Sequence, residues 1–198
     1  MFFSTPALDL KIFLLINQQW RSGLLDTIMP LLSAMSILML VLAVALALAV
    51  WKGGKRQILY FLILFVGMGL SDFSTKLVKA QVHRVRPLNA LAGTFYMDND
   101  QWQSRPANFV QTKERGTSYP SAHSSTTMCL AVLALLLWPS LKKWLLLAPL
   151  AVGYSRVYLG KHYPTDVLAG WLWGLVVAGV IWLIWKEMEK RFPALRPD

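Results

Sequence analysis

Two long runs without a charged residue constrain this chain more than any other feature of its sequence. Leu31 to Trp51 contains 21 residues and Val167 to Trp185 contains 19, and neither holds Asp, Glu, Lys or Arg. About 20 apolar residues in a helix cross the hydrocarbon core of a bilayer. With 56% hydrophobic and only 15% charged residues, the composition also departs from that of soluble domains. The sequence therefore predicts an all-α, polytopic helical membrane protein.

The other apolar stretches predict how the rest of the chain is arranged. We expect one membrane-embedded domain over 1–198 that contains a bundle of five transmembrane helices, at about 24–51, 57–82, 120–138, 144–156 and 164–185. The apolar segment 6–20 is shorter and contains Asp9 and Asn17, so it is predicted to be an interfacial helix rather than a span. The polar segment 87–118 is predicted to be an outer loop over the helix ends. Loops of this length are usually functional or disordered.

Basic residues predict the orientation of this bundle. With five spans, three basic clusters fall on one side, and an aromatic belt lies at the same face. The clusters are Lys52/Lys55/Arg56, Lys142/Lys143 and Lys186/Lys190/Arg191, and the belt is Trp51, Trp138, Trp144, Trp182 and Trp185. The positive-inside rule makes this side cytoplasmic. We therefore expect a multi-pass protein of the plasma membrane (the inner membrane in a bacterium) with a cytoplasmic C-terminus.

The net charge of +10 narrows the classes of partner. In a membrane protein such an excess anchors loops to anionic lipid or binds anionic substrates. Nucleic acid is a poor fit, because no basic stripe lies outside the predicted spans. The single cysteine, Cys129, excludes an internal disulfide and lies in an apolar run, so it is interpreted as a core residue.

The segment from Ser155 to Asp166 places two cations, a histidine and a carboxylate between two apolar runs. Pro164 predicts the first turn of a helix, where the missing N–H of proline costs nothing. Asp166 then lies in that first turn, and His162 lies just before it. A carboxylate at this spacing can accept the proton of one imidazole nitrogen and leave the other lone pair free to attack. The alternative is a short polar loop between two membrane helices.

Lys79 and Arg86 form a second charged cluster at the end of a predicted span. They are seven residues apart, which is two helical turns. A helix that continued through both would place them on one face and direct Arg84 elsewhere. Alternatively, both are snorkelling residues at a helix end.

The third cluster is Pro120-Ser121-Ala122-His123. Pro120 predicts the start of another helix, whose unpaired first-turn N–H groups and dipole favour an anion. Ser121 adds a hydroxyl group, and His123 adds a proton donor. The alternative is a helix cap with an interfacial histidine.

Five spans would bring the three clusters together at the outer ends of the helices. Lys79, Arg86 and Arg156 would then converge with a helix N-terminus and two histidines. Ionisable groups at membrane depth are costly and by default functional. Three fixed cations with helix-end amides suit a dianionic tetrahedral group, which indicates phosphate. One histidine could then attack phosphorus while the other protonates the leaving oxygen.

The three clusters resemble, in order and spacing, the signature motifs of the type 2 phosphatidic acid phosphatase superfamily, which includes membrane lipid phosphatases and the related vanadium haloperoxidases. The motifs are Lys79-x6-Arg86-Pro87, Pro120-Ser121-Ala122-His123 and Ser155-Arg156-x5-His162-x3-Asp166. One departure is Ala122, where the family most often has glycine. A positive φ there would cost alanine about 1 kcal/mol or more, so we expect Ala122 to have helical φ and still to offer its N–H.

The resemblance implies a role for each matched residue. His162 is the nucleophile that forms a phosphohistidine, Asp166 orients it, and His123 protonates the leaving group. The phosphate oxygens are held by Lys79, Arg86 and Arg156, with assistance from Ser121 and the amide of Ala122. No metal and no cofactor is implied, and the three histidines and scattered carboxylates do not have the usual spacing of metal ligands.

The expected function is that of a metal-independent integral membrane phosphatase that hydrolyses a lipid phosphomonoester or pyrophosphate at the outer face. Three substrate classes stay open: a polyprenyl pyrophosphate, phosphatidate or phosphatidylglycerophosphate, and a lipid A phosphate. One alternative is a lipid phosphotransferase that uses the same phosphohistidine. Another is a non-catalytic anion- or lipid-binding membrane protein, but such a protein has no need of a histidine and a carboxylate four residues apart. Soluble haloperoxidases are a poor match for so apolar a chain.

Overall fold

The computed structural model of the chain describes residues 5–54, 56–111 and 113–192. Helices dominate these ranges, whereas Lys55 of the first basic cluster and the end of the tail, 193–198, lie outside them. The α-helices are α1 (Ala7–Leu14), α2 (Gly23–Leu32), α3 (Met35–Gly53), α4 (Arg56–Val82), α5 (Ala122–Leu137), α6 (Leu147–Tyr158) and α7 (Pro164–Arg191). A π-helical segment at Leu15–Gln19 continues α1, and 3-10 turns occupy Pro87–Asn89 and Lys143–Leu146.

The chain is mostly helical, as the predicted all-α fold requires, but it also contains one short hairpin that the sequence did not predict. Within the segment 87–118, strands β1 (Phe95–Asp98) and β2 (Gln101–Ser104) pair antiparallel. Asn99 and Asp100 connect them with φ angles of 46° and 60°, the two positive values that a tight type I′ hairpin requires. Asn and Asp tolerate this conformation better than most residues. The chain is therefore mostly helical rather than wholly so.

Three helices in the described part of the chain are long and apolar enough to cross a membrane: α3, α4 and α7. Helix α5 has 16 residues and α6 has 12, fewer than the roughly 20 that a straight span needs. The bundle of five spans therefore stays a prediction. The segment 6–20 is helical over most of its length, and its interfacial position also stays a prediction.

The predicted first span, 24–51, is instead two helices with a break at Ser33 and Ala34. Pro30 lies inside α2 and weakens its last turn, because proline has no N–H to donate. At the break, the hydroxyl group of Ser33 accepts a hydrogen bond from the guanidinium of Arg156. This tertiary contact helps to hold α2 and α3 as separate helices.

Helix α5 occupies the centre of the fold and packs against α4, α6 and α7. Gly170 and Gly174 of α7 face it so closely that a Cβ atom at either position would clash with a backbone carbonyl of α5, at Ser121 and Ser125 respectively. Small residues four apart allow two membrane helices to approach in this way. The close contact brings the N-terminal end of α5 beside that of α7.

A cluster of buried aromatic and aliphatic side chains at the C-terminal end of α6 anchors α1 to the bundle. Phe13, Tyr158 and Tyr163 are buried there. The buried Asn17 side chain joins the hairpin to this cluster, because its amide donates to the carbonyls of Phe95 (2.8 Å) and Tyr158 (2.7 Å). Its oxygen accepts the N–H of Phe95 at 2.9 Å. The N-terminal helix and the hairpin are thus fixed next to the ends of α6 and α7.

Candidate active site

The N-terminus of α7 is built around Asp166. Pro164 is the first helical residue, as predicted. Asp166 is completely buried, and its Oδ2 accepts the N–H of Tyr163 at 2.9 Å and the hydroxyl of Ser118 at 2.5 Å. Its Oδ1 accepts from Nη1 of Arg84 at 2.6 Å. A carboxylate with three donors stays ionised and has one defined orientation.

The imidazole of His162 lies against this carboxylate in a buried position. Its Nδ1 is 3.6 Å from Oδ2 of Asp166, within ion-pair range but too long for a hydrogen bond, and no hydrogen-bond partner of Nδ1 occurs in the described part of the chain. Catalytic hydrogen bonds often tighten only when substrate binds. Burial, opposed by Asp166 and assisted by the charge of Arg156, lowers the pKa of His162 to about 4. The imidazole is therefore neutral at physiological pH and keeps a free lone pair.

Arg156 lies near the C-terminal end of α6, and its side chain is buried. Its backbone carbonyl accepts the N–H groups of Lys161 (3.1 Å) and His162 (3.2 Å). The turn between them depends on Gly160, which has φ of 68° and lies so close to the carbonyl of Phe95 that a Cβ atom would be only 2.6 Å from that oxygen. This turn places the histidine directly beside the arginine that precedes it by six residues.

Lys79 and Arg86 reach the site by a route that differs from the predicted one. Helix α4 ends at Val82, and His83 has φ of 56°, so the two cations do not share a helical face. The positive charges of Lys79 and Arg86 nevertheless lie close enough to repel each other, and the charge of Arg156 also acts on Lys79. Burial lowers the pKa of Arg86, and the charge of Asp166 opposes this effect.

The helix predicted to start at Pro120 begins later than expected. The bond between Tyr119 and Pro120 is cis, and α5 starts at Ala122 rather than at Pro120, with Ser121 as its N-cap. The hydroxyl oxygen of Ser121 accepts from the backbone N–H (3.4 Å) and the hydroxyl (2.9 Å) of Ser124. Ala122 lies in the first turn of the helix and has no positive φ, as expected.

His123 follows in the first turn of α5 and lies near residues of both other motifs. It lies within electrostatic range of Arg156, His162, Lys161 and Lys79. The N–H of Ser121 donates to the backbone oxygen of Asp166 at 2.9 Å, which ties the start of α5 to the start of α7. The structure thus brings all of the predicted site residues to one end of the helix bundle.

Lys161 adds a fourth cation to this end of the bundle. Burial lowers its pKa, and the charges of Arg156 and Arg86 lower it further. Lys161, Lys79, Arg86 and Arg156 therefore concentrate positive charge around the two histidines. Asp166 is the buried carboxylate beside those histidines. Such an arrangement suits an anion with several negative oxygens.

The cluster around Asp166 also includes three residues that are not among the predicted site residues: Arg84, Asp9 and Ser118. Arg84 was expected to point away from the site, but it contacts Asp166 because α4 ends two residues before it. Asp9 was interpreted only as a polar residue in an interfacial helix. Arg84 pairs with Asp9 and with Asp166, which lie 75 and 82 residues from it in the sequence. The one sequence signal for this pairing is the extra arginine inside the Lys79-x6-Arg86-Pro87 motif.

Two apolar grooves on the helix surface lead to His123. One, of about 380 Å³, lies between the α2–α3 segment and helices α5 and α6, and the other, of about 280 Å³, lies between α3, α4 and α5. Both are lined by Met35, His123 and Thr126. The N-terminal end of α3 separates them, so apolar surface reaches the candidate proton donor from two sides.

Comparison with curated proteins places these features in a family. A model of the PAP2 superfamily matches residues 60–190. An undecaprenyl-diphosphatase of Sulfolobus acidocaldarius is 43% identical over 82 residues, which cover 36% of this chain and 38% of that protein. A phosphatidylglycerophosphatase B of Bacillus subtilis is 28% identical over 179 residues, which cover 84% of this chain and 76% of that protein. The chain thus spans little more than a third of the first of these relatives.

Two crystal structures share the fold. LpxE of Aquifex aeolicus aligns with a TM-score of 0.67 and 22% identity over 91% of this chain and 98% of that one. A transmembrane PAP2-type phosphatidylglycerolphosphate phosphatase of Bacillus subtilis aligns with a TM-score of 0.64 and 23% identity over 94% and 86%. The family model covers more than half of the chain and includes all three motifs, so this membrane protein belongs to the PAP2 superfamily.

Proposed function

We propose that the protein is a membrane phosphatase that hydrolyses a lipid phosphomonoester or diphosphate through a phosphohistidine at His162. The observation that carries this proposal is the buried, neutral imidazole of His162 beside Asp166, at the point where Arg86 and Arg156 also converge. A neutral imidazole is a nucleophile, and the cations around it suit the phosphate group that it would attack.

The proposed reaction has two balanced steps. Since Nδ1 of His162 faces Asp166, Nε2 attacks phosphorus and the bond from phosphorus to the lipid oxygen breaks. His123 donates a proton to that oxygen, so the lipid leaves as an alcohol, or as a monophosphate when the substrate is a diphosphate. Water then attacks the phosphohistidine and gives a proton to His123. Inorganic phosphate leaves, and both histidines return to their starting states.

Lys79, Arg86 and Arg156 are proposed to hold the phosphate oxygens, together with the hydroxyl of Ser121 and the amide of Ala122. The amide lies in the first turn of α5, where helix N–H groups and the dipole favour an anion. No step in this scheme requires a metal ion, because the cations neutralise the developing charge.

The two grooves beside α3 support lateral entry of the substrate from the bilayer. Both are apolar, and both reach His123, so a lipid could keep its hydrocarbon tail in the membrane while its phosphate enters the site. Relatives named undecaprenyl-diphosphatase, lipid A 1-phosphatase and phosphatidylglycerophosphatase B match the three substrate classes that the sequence left open. Polyprenyl diphosphates, lipid A phosphates and glycerophospholipid phosphates are therefore the candidates.

The orientation is part of the same proposal. The site lies at the N-terminal ends of α5 and α7, whereas the basic clusters at Lys52, Lys142/Lys143 and Lys186 lie near or after the C-terminal ends of α3, α5 and α7. The positive-inside rule assigns these clusters to the cytoplasm. We therefore infer an active site at the outer face, covered by the segment 87–118, in a bacterial inner membrane or another plasma membrane. Five spans, an interfacial helix at 6–20 and a cytoplasmic C-terminus complete this topology.

The test is phosphate release by purified protein in detergent from a panel that contains one lipid of each class. We expect release from at least one class, and loss of release in His162→Ala. Absence of release from every lipid in the panel would contradict the proposal. The same phosphohistidine could pass its phosphate to an alcohol, so the panel is repeated with a labelled phosphate group and an added lipid alcohol. Transfer of the label to that lipid instead of water would identify a phosphotransferase.

A further inference from the structure

The guanidinium of Arg84 links two carboxylates in the interior of the protein. Its side chain is 1% exposed. Nη1 donates to Oδ1 of Asp166 at 2.6 Å, and Nη2 donates to Oδ2 of Asp9 at 2.5 Å. The planar face of the guanidinium lies 3.9 Å from the ring centre of Tyr163. Arg84 is therefore held from several directions and cannot turn without breaking strong contacts.

Asp9 reaches this arginine from α1 and also contacts the first turn of α7. Its Oδ1 accepts the N–H of Thr165 at 2.9 Å, and its Oδ2 accepts the Thr165 hydroxyl at 2.7 Å. A carboxylate at a helix N-terminus satisfies an otherwise unpaired N–H and is favoured by the helix dipole. A side chain of the N-terminal helix thus caps the helix that carries Asp166.

The contacts of Asp166 divide between its two oxygens. Oδ1 is occupied by Arg84, whereas Oδ2 accepts from Ser118 and Tyr163 and lies nearest to Nδ1 of His162. Without the arginine, the carboxylate could rotate about its last side-chain bond, because that torsion is broad. The pairing with Arg84 acts together with the bonds from Ser118 and Tyr163 to fix the plane of the carboxylate, and that plane directs one oxygen toward the imidazole.

We propose that Arg84, clamped by Asp9, is a positioning residue that holds Oδ2 of Asp166 toward Nδ1 of His162. The N-terminal helix is then part of the machinery that orients the nucleophile. The kinetic part of this inference rests on the proposed phosphohistidine function. Arg84 donates to Asp166 and Asp9 and acts on the imidazole through Asp166, so its removal should slow the chemical step without weakening substrate binding.

The kinetic test compares Arg84→Gln with a matched control, Arg21→Gln. Arg21 also pairs with an aspartate at 2.5 Å and lies over aromatic rings, but that aspartate is Asp26 rather than Asp166. We expect Arg84→Gln to lower kcat by about 10- to 100-fold, as loss of an orienting partner does elsewhere, with KM within about twofold of wild type. Arg21→Gln should keep kcat within about twofold. Equal kcat losses in both variants, or a loss confined to KM, would overturn the proposal.

A folded variant keeps the test decisive if Arg84→Gln destabilises the protein. Asp9→Leu/Arg84→Met removes one of the two buried carboxylates together with the arginine, so it leaves one unpaired carboxylate where Arg84→Gln leaves two. We expect this double variant to melt closer to wild type than Arg84→Gln does and still to show the reduced kcat. Arg84→Lys should recover part of the rate, because it restores a charge without the two-pronged geometry. A double variant with wild-type kcat would overturn the proposal.

A spectroscopic test does not depend on the proposed activity. The chain has three histidines, so ¹⁵N-histidine labelling with His162→Gln as the assignment control identifies the signals of His162. We expect one tautomer, protonated at Nδ1, in the wild type and in Arg21→Gln, and a mixture of tautomers in Arg84→Gln. An Arg84→Gln spectrum identical to wild type would contradict the positioning role, whether or not any lipid is hydrolysed. Lack of hydrolysis by wild type would instead contradict only the proposed function.

Discussion

The Nδ1 atom of His162 lies 3.6 Å from Oδ2 of Asp166, and both side chains are shielded from solvent. The carboxylate already accepts three hydrogen bonds from Arg84, Ser118 and Tyr163. The histidine is therefore the partner that has to move closer when the site binds its ligand.

His162→Ala should abolish phosphate release, because no other group in the site offers a neutral imidazole at that position. We expect a loss of at least about a thousandfold in kcat, with normal membrane insertion and an unchanged elution volume in detergent. The matched control is His83→Asn, which removes a histidine at positive φ and introduces a residue that tolerates this conformation. Retained turnover in His162→Ala would disprove the assignment of the nucleophile.

Asp166→Asn should affect rate more than binding. The amide keeps the size of the side chain but loses the charge that stabilises the imidazole when it carries phosphate. We expect kcat to fall by about 100-fold or more while KM changes little. Arg156→Ala, which removes a proposed phosphate ligand, should lower kcat and raise KM together. Steady-state kinetics of the two variants on one lipid separate these patterns, and similar KM increases in both would contradict the assigned roles.

The pH dependence of kcat/KM should follow His162. Burial lowers its pKa to about 4, so the imidazole of the free enzyme keeps its lone pair at neutral and mildly acidic pH. Protonation removes the nucleophile, and activity should decline as pH falls through the region near that pKa. The measurement is kcat/KM between about pH 4 and pH 8, with enzyme stability checked at each value. An acidic limb at or above the ordinary pKa of histidine would contradict the prediction.

Gly174→Ala should destabilise the protein, because a Cβ atom there would clash with the carbonyl of Ser125 in α5. Overpacking of this kind costs about 1–3 kcal/mol, and the displaced α5 would also carry His123 away from His162. Gly179→Ala is the control in the same helix, since a Cβ at that position meets no atom within 4 Å. Thermal melting in detergent should show a lower Tm for Gly174→Ala alone, and equal melting of the two variants would argue against the close packing.

Chelation with EDTA should leave phosphate release intact, because the proposed scheme neutralises the phosphate with Lys79, Arg86 and Arg156. The measurement is initial rate with and without EDTA, with Mg²⁺ added back to a parallel sample. A strict requirement for an added divalent ion would show that the cations of the chain are not sufficient.

Local signals in the sequence were enough to place much of the candidate site. Pro164 begins α7 because proline at the first helical position loses nothing, and the spacing from His162 to Asp166 then brings the two side chains together. The same reasoning misplaced the start of α5, since Ser121 rather than Pro120 caps that helix. It also treated α4 as continuous through Arg86, although the left-handed conformation of His83 ends the helix.

The sequence by itself determined the class of protein and the chemistry of its motifs, because apolar run length, helix-start residues and motif spacing act over a few residues. Only the tertiary structure decided how Asp166 is held. Arg84 meets Asp9 and Asp166 across separations of 75 and 82 residues, and the tight contact of Gly170 and Gly174 with α5 sets the two helix N-termini side by side. Such contacts depend on how helices pack in three dimensions: the spacing of Gly170 and Gly174 permits a close approach but does not specify its partner, and no spacing along the chain links Arg84 to Asp9 or Asp166.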